Sequence, residues 1–221
     1  MVDLSLENVI NVFTHRKPGV VGKHKSFSVL MPLVIRGGQV HVLFEMRSSK
    51  LDTQPGEVCF PGGAMEGIET PLQGAVRETM EELGLERSQV KVINKLDTLQ
   101  SHANLSVYCY LGKLEVSCMD GIPEDEPNVT DCFNVSKNEV AEVFTVPLKF
   151  FVENEPEIEW VDVVQIPPED FPYEKVNSPK AYEWRTGSVD VPIYMYGHYP
   201  IWGMTARMVH NFVDILEGRK K

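Results

Sequence analysis

Residues 70–84, Thr-Pro-Leu-Gln-Gly-Ala-Val-Arg-Glu-Thr-Met-Glu-Glu-Leu-Gly, constrain the fold more than any other stretch. Thr70 and Gln73 make a capping box, Pro71 suits the first helical position, and Gly84 supplies the stop, so the segment predicts a helix over Pro71–Leu83. With Leu72 at zero and about 100° per residue, Ala75, Val76, Thr79, Met80 and Leu83 fall within about 80° of it and form a core face. Glu78, Glu81 and Glu82 fall on one acidic face between about 180° and 280°. Carboxylates three and four residues apart repel by roughly 0.2–0.5 kcal/mol per pair. They crowd the last turn, where the helix dipole costs each about 0.3–1 kcal/mol more. Two readings follow: a solvated acidic face, or a site where oxygen ligands hold a divalent cation such as Mg²⁺ or Mn²⁺.

Such a helix needs a layer to bury its apolar face. Phe27–Arg36 and Val40–Met46 are apolar and β-branched runs around Gly37-Gly38, the pattern of a β-hairpin. Val58-Cys59-Phe60 reads as a short strand ending at Pro61-Gly62-Gly63. Val90–Leu99, Val107–Leu114 and Glu157–Ile166 read as further strands, and Val189–Tyr196 as an edge strand because of Pro192. Glu115–Val135 is irregular and acidic. Ser136 with Glu139 predicts a second capping box opening a short helix toward Val143. Pro147–Glu153 reads as a helical turn, residues 167–179 as a Pro-rich surface connection, and Thr205–Leu216 as an amphipathic helix with Ala206, Val209, Phe212, Val213 and Leu216 inward. There is no repeat and no Ser- or Gly-rich linker. The expected fold class is α+β, a mixed β-sheet between helices, in a single domain over residues 1–221.

Charge narrows the partners. There are 21 Lys and Arg against 32 Asp and Glu, for a net charge of −11, which argues against a nucleic-acid or anionic-membrane binder. An anionic small molecule stays open, because carboxylates that load cations reverse the local sign. No apolar run reaches membrane-spanning length, and Met1–Glu7 lacks the layout of a signal peptide. Cys59, Cys109, Cys118 and Cys132 form no Cys-x-x-Cys pair and no zinc spacing, so free thiols in a reducing, cytoplasmic or organelle-matrix setting are expected. The tail Arg219-Lys220-Lys221 is not a Ser-Lys-Leu address.

The flanks of the helix extend its pattern. Gly63-x5-Glu69-x7-Arg77-Glu78-Thr79-x-Glu81-Glu82-x-Gly84-Leu85 fixes nine positions over 23 residues. It resembles the Nudix box, the signature of hydrolases of nucleoside diphosphates linked to another moiety. Thr79 departs from it, standing where that family usually has an aliphatic residue. The resemblance implies an α/β/α sandwich and Mg²⁺ or Mn²⁺ as cofactor. It implies Glu78 and Glu82 as direct metal ligands, Glu81 sharing metals or reaching them through water, and the Gly63 carbonyl as a ligand. Glu69 would hold a metal or steady the loop, and Arg77 would orient a carboxylate. The resemblance leaves the general base to a box glutamate or to a carboxylate of a later loop, for which Glu139 and Glu142 are candidates, with ordinary positions on a short helix as the alternative.

A second pattern, Met46-Arg47-Ser48-Ser49-Lys50 through Gly56-Glu57-Val58-Cys59-Phe60-Pro61-Gly62-Gly63, is similar to the coenzyme A pyrophosphatase branch of that family, as is Ile201-Trp202-Gly203-Met204-Thr205-Ala206. The implied reaction cleaves the diphosphate of coenzyme A or its thioesters into 3′,5′-ADP and 4′-phosphopantetheine or its acyl form. Arg47 and Lys50 are the basic candidates for the 3′-phosphate, with solvated loop cations as the alternative. His102 is a candidate for the pocket wall. Trp202 and Tyr199 either stack on adenine or pack on the sheet. Alternatives are the same chemistry on ADP-ribose or a dinucleotide, and a Nudix-fold sensor without turnover, which would not need the repelling glutamates. RNA decapping is disfavoured by the charge. The resemblance also admits a homodimer.

Overall fold

A computed structural model describes residues 3–16, 19–22, 24–123, 125–179 and 182–219. Met1, Val2, Lys220 and Lys221, invoked above for the two termini, lie outside the described residues.

The expected hairpin is formed by β1 (Lys25–Arg36) and β2 (Gln39–Arg47), with Leu33–Arg36 paired to Val42–Gln39. Both turn residues have positive φ, 52° at Gly37 and 78° at Gly38, the geometry whose twist matches the flanking strands. β1 is the axis of a seven-stranded mixed sheet. Along one edge it runs parallel to β6 (Leu105–Leu114), which pairs antiparallel with β5 (Val90–Ser101). Along the other edge, its first half pairs with β4 (Gly62–Ala64) and its second half with β2. β2 also carries β3 (Val58–Cys59) and β7 (Val140–Pro147). A smaller antiparallel sheet holds β8 (Glu157–Val163), β9 (Gly187–Tyr196) and β10 (Tyr199–Trp202), with β9 in the middle. The helices are α1 (Leu6–Thr14), α2 (Pro71–Leu83), α3 (Leu148–Glu153) and α4 (Gly203–Leu216).

Both faces of the large sheet are apolar, so its strands read as near-continuous hydrophobic runs. Alternation assigns each side chain to a layer. Leu30, Val34, Leu43, Tyr110 and Val143 pack with Ala75, Val76 and Leu83 of α2. Met31, Val42, Phe44, Cys109 and Phe144 pack on the other side with Val209, Phe212 and Val213 of α4. Each large side chain so buried contributes roughly 1.5–3 kcal/mol. The result is the expected α+β class, a mixed sheet between helices.

Several local expectations need correction. Ser136–Glu139 makes only a single turn, closed by Glu139 N–H and Val140 N–H on the Ser136 carbonyl at 2.8 Å each. The β-branched and aromatic run that follows, Val143-Phe144-Thr145-Val146, pairs with β2 as a strand, not a helix. β9 is central, not an edge: Pro192 lies opposite Ile158 of β8, while pairing with β10 ends at Ile193, so the ring meets no strand on that side. Leu216 is exposed at the end of α4. Cys118 and Cys132 are joined as a disulfide with Cα atoms 5.7 Å apart, and only Cys59 and Cys109 are free thiols. Short 3₁₀ turns at Ser117–Gly121 and Thr130–Cys132 fold the acidic stretch back on itself. Buried Arg36 ties that stretch down, donating to the carbonyls of Pro123 at 2.7 Å and Glu126 at 2.8 Å and to the Thr145 hydroxyl. Strands β4 and β10 escaped the sequence reading because one holds two glycines and the other is four residues long with Pro200 inside. Among the described residues no helix is long and apolar enough to cross a membrane.

Candidate active site on the capped helix

α2 begins and ends where its caps dictate. Thr70 Oγ1 accepts from Gln73 N–H at 3.3 Å, and the Gln73 side chain accepts from Thr70 N–H at 2.8 Å. Gly84 closes it in the left-handed region (φ 64°, ψ 40°), where a Cβ would also meet the Asn134 carbonyl at 2.3 Å. Thr79, the departure from the box, is fully buried and satisfies its hydroxyl on the Ala75 carbonyl at 2.7 Å.

The helix is rotated from the expected orientation. Its buried residues are Gly74, Ala75, Val76, Thr79, Glu82 and Leu83, whereas Leu72 is 38% exposed. The buried arc is centred about 60° from the Leu72 line, toward the glutamates. The three glutamates therefore sit at three depths rather than on one open face. Glu81 is 57% exposed at its side chain, Glu78 17%, and Glu82 as a residue only 5%. Gly74 permits this rotation, since a Cβ there would lie 2.6 Å from Ser28 Oγ on β1.

Gly62 and Gly63 bring the backbone of β4 against these carboxylates. Gly62 N–H donates to Glu82 Oε2 at 2.8 Å. A Cβ on Gly63 would lie 2.4 Å from Glu78 Oε1, so only glycine allows that close approach. Arg77 gathers the outer carboxylates. It grips Glu69 with two bonds, Nε to Oε2 at 3.1 Å and Nη2 to Oε1 at 3.0 Å, and its Nη1 lies 3.0 Å from both Glu78 Oε1 and Glu81 Oε2. The hydrogen bonds from Arg77 hold the Glu69 carboxyl below the usual range, and that bond above all keeps Arg77 charged.

The inner carboxylates behave oppositely. Burial pushes Glu82 up strongly, the negative charge of Glu45 adds to the rise, and the bond from Gly62 offsets part of it. Burial also raises Glu78, countered by Arg77. Glu45 itself was missed from the sequence. It sits in β2 on the α2 side, 1% exposed, and burial raises its carboxyl too. Its Oε1 accepts from Cys59 Sγ at 3.4 Å. The available signal was one glutamate in the apolar run Val42-Leu43-Phe44-Glu45-Met46, in phase with inward-facing Leu43.

The other candidates are distributed unevenly. Arg47 closes β2, donates to the Thr53 carbonyl at 3.4 and 3.2 Å, and its charge reaches Glu45 and Cys59. Lys50 is exposed in the following turn, and His102 is exposed in the turn between β5 and β6. Among the described residues neither forms a hydrogen bond or ion pair with the α2 carboxylates. Glu142 accepts the Tyr199 hydroxyl on the α4 side of the sheet. Glu139 is exposed, and its charge acts on Glu45, Glu78 and Glu82. Tyr199 is buried and stacks on Phe144 with ring centroids 3.8 Å apart, whereas Trp202 is 43% exposed. On the α4 side a cleft of about 340 Å³ opens between β5 and α4, lined by Asp97, Gln100, Asp190, Arg207, His210 and Asn211 among others.

The side-chain donors at α2 are all carboxylate oxygens, the chemistry of a hard divalent cation, and one of them, Glu82, is buried without full compensation. As they stand, no three His, Cys, Asp or Glu side chains among the described residues converge closely enough to hold a metal ion. Arg77 occupies oxygens of Glu69, Glu78 and Glu81, so a cation entering here has to exchange for its Nη1.

Comparison with known proteins shows the family. The NUDIX domain family model matches residues 24–179, most of the chain. A peroxisomal coenzyme A diphosphatase of Mus musculus, NUDT7, is 39% identical over 127 residues, 57% of this chain and 48% of the mouse protein, so the match spans about half that relative's length. Nudix hydrolase 3 of Caenorhabditis elegans is 27% identical over 96% of this chain and 82% of its own. An uncharacterized Nudix hydrolase, NudL, of Citrobacter koseri is 28% identical over 94% of this chain and 93% of its own. A glutamate-bearing capped helix laid against Gly62-Gly63, inside a family match of this extent, places the chain in the Nudix hydrolase family.

Proposed function

We propose that the chain hydrolyses the diphosphate of coenzyme A or its thioesters, releasing 3′,5′-ADP and (acyl-)4′-phosphopantetheine, with Mg²⁺ or Mn²⁺ as cofactor. One observation carries the catalytic part: Glu82 is buried against Gly62 N–H beside Glu78 on Gly63, a charge arrangement that a bound cation compensates. Similarity to a coenzyme A diphosphatase supports the substrate.

Glu78 and Glu82 would hold the cation directly, with Glu81 and the Gly63 carbonyl completing the donor set. When bound, the cation neutralises the diphosphate, polarises phosphorus and lowers the pKa of the attacking water. Arg77 keeps Glu69 fixed under the first turn of α2 and thereby shapes the loop that carries Gly63. Glu142 is committed to the Tyr199 hydroxyl, so Glu139, exposed and electrostatically joined to the cluster, is the candidate to take the proton from water. Water adds to one phosphorus, the bridging P–O bond breaks, and each product keeps one phosphate of the former diphosphate, the adenosine product also keeping its 3′-phosphate.

The cleft between β5 and α4 would seat an organic half of the substrate. Cys109, on its wall, pairs with Val29, and Val29 pairs with Gly62. Two strand spacings, roughly 10 Å, are the lateral offset within the sheet, and the sheet itself lies between the cleft on the α4 side and the carboxylates on the α2 side. Arg47, whose charge reaches Glu45, would be the cation for the 3′-phosphate; Lys50 stands farther along the same loop.

A substrate panel of coenzyme A, ADP-ribose and diadenosine polyphosphates, read by product identity with Mg²⁺ or Mn²⁺, tests this reading. Coenzyme A should lead in kcat/KM. A tenfold or greater preference for ADP-ribose or a dinucleotide moves the assignment to that substrate, and no turnover of any member favours a sensor.

A further inference from the structure

Glu45 belongs to neither sequence pattern's charged set, yet it is the most deeply buried acid near α2. It is 1% exposed, and its Oε2 has no hydrogen-bond partner. Its other oxygen has only the weak thiol donor of Cys59, its cross-strand neighbour. A buried carboxylate oxygen left bare costs far more than a surface one, and native structures keep such groups for a reason. Hydrophobic residues surround the position along β2: Leu43 on the same side is part of the core, and a leucine or valine at 45 would continue it.

The direction of the side chain supplies the reason. Glu45 faces α2, and the charge on Glu82 feels Glu45 more than any other acid. Cys59, bonded to Glu45, lies three residues before Gly62, which holds Glu82. Glu78 and Glu139 act on Glu45 as well. Glu45, Glu78, Glu82 and Glu139 therefore act on one another electrostatically between β2, β4 and α2, without three of them converging as they stand, and the deepest has an unused oxygen.

We propose that Glu45 is a further cation-binding residue of this site, an inner ligand that approaches from the sheet while Glu78 and Glu82 approach from the helix. The inference rests on the cation reading given above. It adds a carboxylate that the box does not contain. A cation bound between sheet and helix would satisfy Glu45 Oε2 and relieve its repulsion with Glu82 together. It would also tie β2 to α2, two elements otherwise joined here through apolar contacts.

Mn²⁺ titration of the full chain, followed by electron paramagnetic resonance of the free ion, tests the inference without turnover. The proteins are the unaltered chain, Glu45→Gln, Glu45→Thr and Glu78→Gln, each checked for folding by circular dichroism. Glu45→Gln keeps shape; Glu45→Thr is smaller and covers the case where the amide packs badly. The expected result is a rise in Kd for Mn²⁺ of tenfold or more in both Glu45 variants and in Glu78→Gln. If the Glu45 variants bind Mn²⁺ within twofold of the unaltered chain while Glu78→Gln binds weakly, Glu45 is a protonated core residue and the inference is overturned, with the cation reading intact. If the unaltered chain does not bind Mn²⁺, both fail.

Discussion

The two faces of the large sheet bury their side chains under opposite rules. On the α4 side, aromatic rings fill the layer: Phe44 stacks with Phe60 and Phe144 at centroid distances of 5.1 and 5.5 Å, and Tyr199 covers Phe144. Polar groups there find partners, as with the Thr205 hydroxyl on the Val58 carbonyl at 3.1 Å and Tyr199 on Glu142. On the α2 side, the same strands bury Glu45, the helix buries its own Glu82, and Glu45 Oε2 and Ser28 Oγ have no hydrogen-bond partner. The first face is arranged for stability. The second gives up stability at a few positions, the usual mark of a surface shaped for a ligand.

This contrast predicts that substitutions on the two faces separate activity from stability. Glu78→Gln or Glu82→Gln should lower kcat by a factor on the order of 10²–10³, the loss of several kcal/mol of charge stabilisation, while the protein stays folded. Steady-state kinetics with coenzyme A checks it, and retained activity in both variants discards the ligand assignment. Phe144→Ala on the other face should cost about 3–5 kcal/mol in urea unfolding through its cavity, with little change in kcat for the folded fraction.

A smaller effect sharpens the contrast through pH. Burial raises Glu82, Glu45 and Glu78 in the folded, metal-free chain above the ordinary carboxylate value of 4.5. Above that pH the folded state holds more protons than the unfolded one, so these groups stabilise most below it and lose their contribution as pH rises through the raised values. The Tm of the metal-free protein should therefore fall from about pH 5 to about pH 8, and Glu82→Gln should flatten that slope. An unchanged slope in the variant would mean that Glu82 is solvated.

Much of this was legible in the sequence where the cause is local. The ends of α2 follow from Thr70, Gln73, Pro71 and Gly84, which act on the backbone within a turn. The hairpin follows from Gly37-Gly38 and two apolar runs. What stayed hidden depends on contacts between distant segments. The rotation of α2 is set by Gly74 against Ser28 and by Glu82 on Gly62, and a helical wheel that counts Glu as exposed points the other way. Ser136–Val143 carried a genuine capping signal, but pairing of Val140–Pro147 with β2 overrode it after one turn. The Cys118–Cys132 bond joins residues 14 apart with no motif between them. Glu45 was visible in sequence as an acid in an apolar strand; its meaning needed α2 beside it.

The most direct measurement is thermal unfolding of the unaltered chain and of the Glu78→Gln/Glu82→Gln double variant, each with and without Mn²⁺. At about 100 times Kd, binding to the folded state adds about 2.7 kcal/mol, or about 5–10 °C in Tm for a chain of this size. The unaltered chain should show that rise, and the double variant should stay within about 1 °C of its metal-free value. Equal rises in both proteins, or none in the unaltered chain, would contradict the claim that the buried glutamates of α2 are held there for a cation.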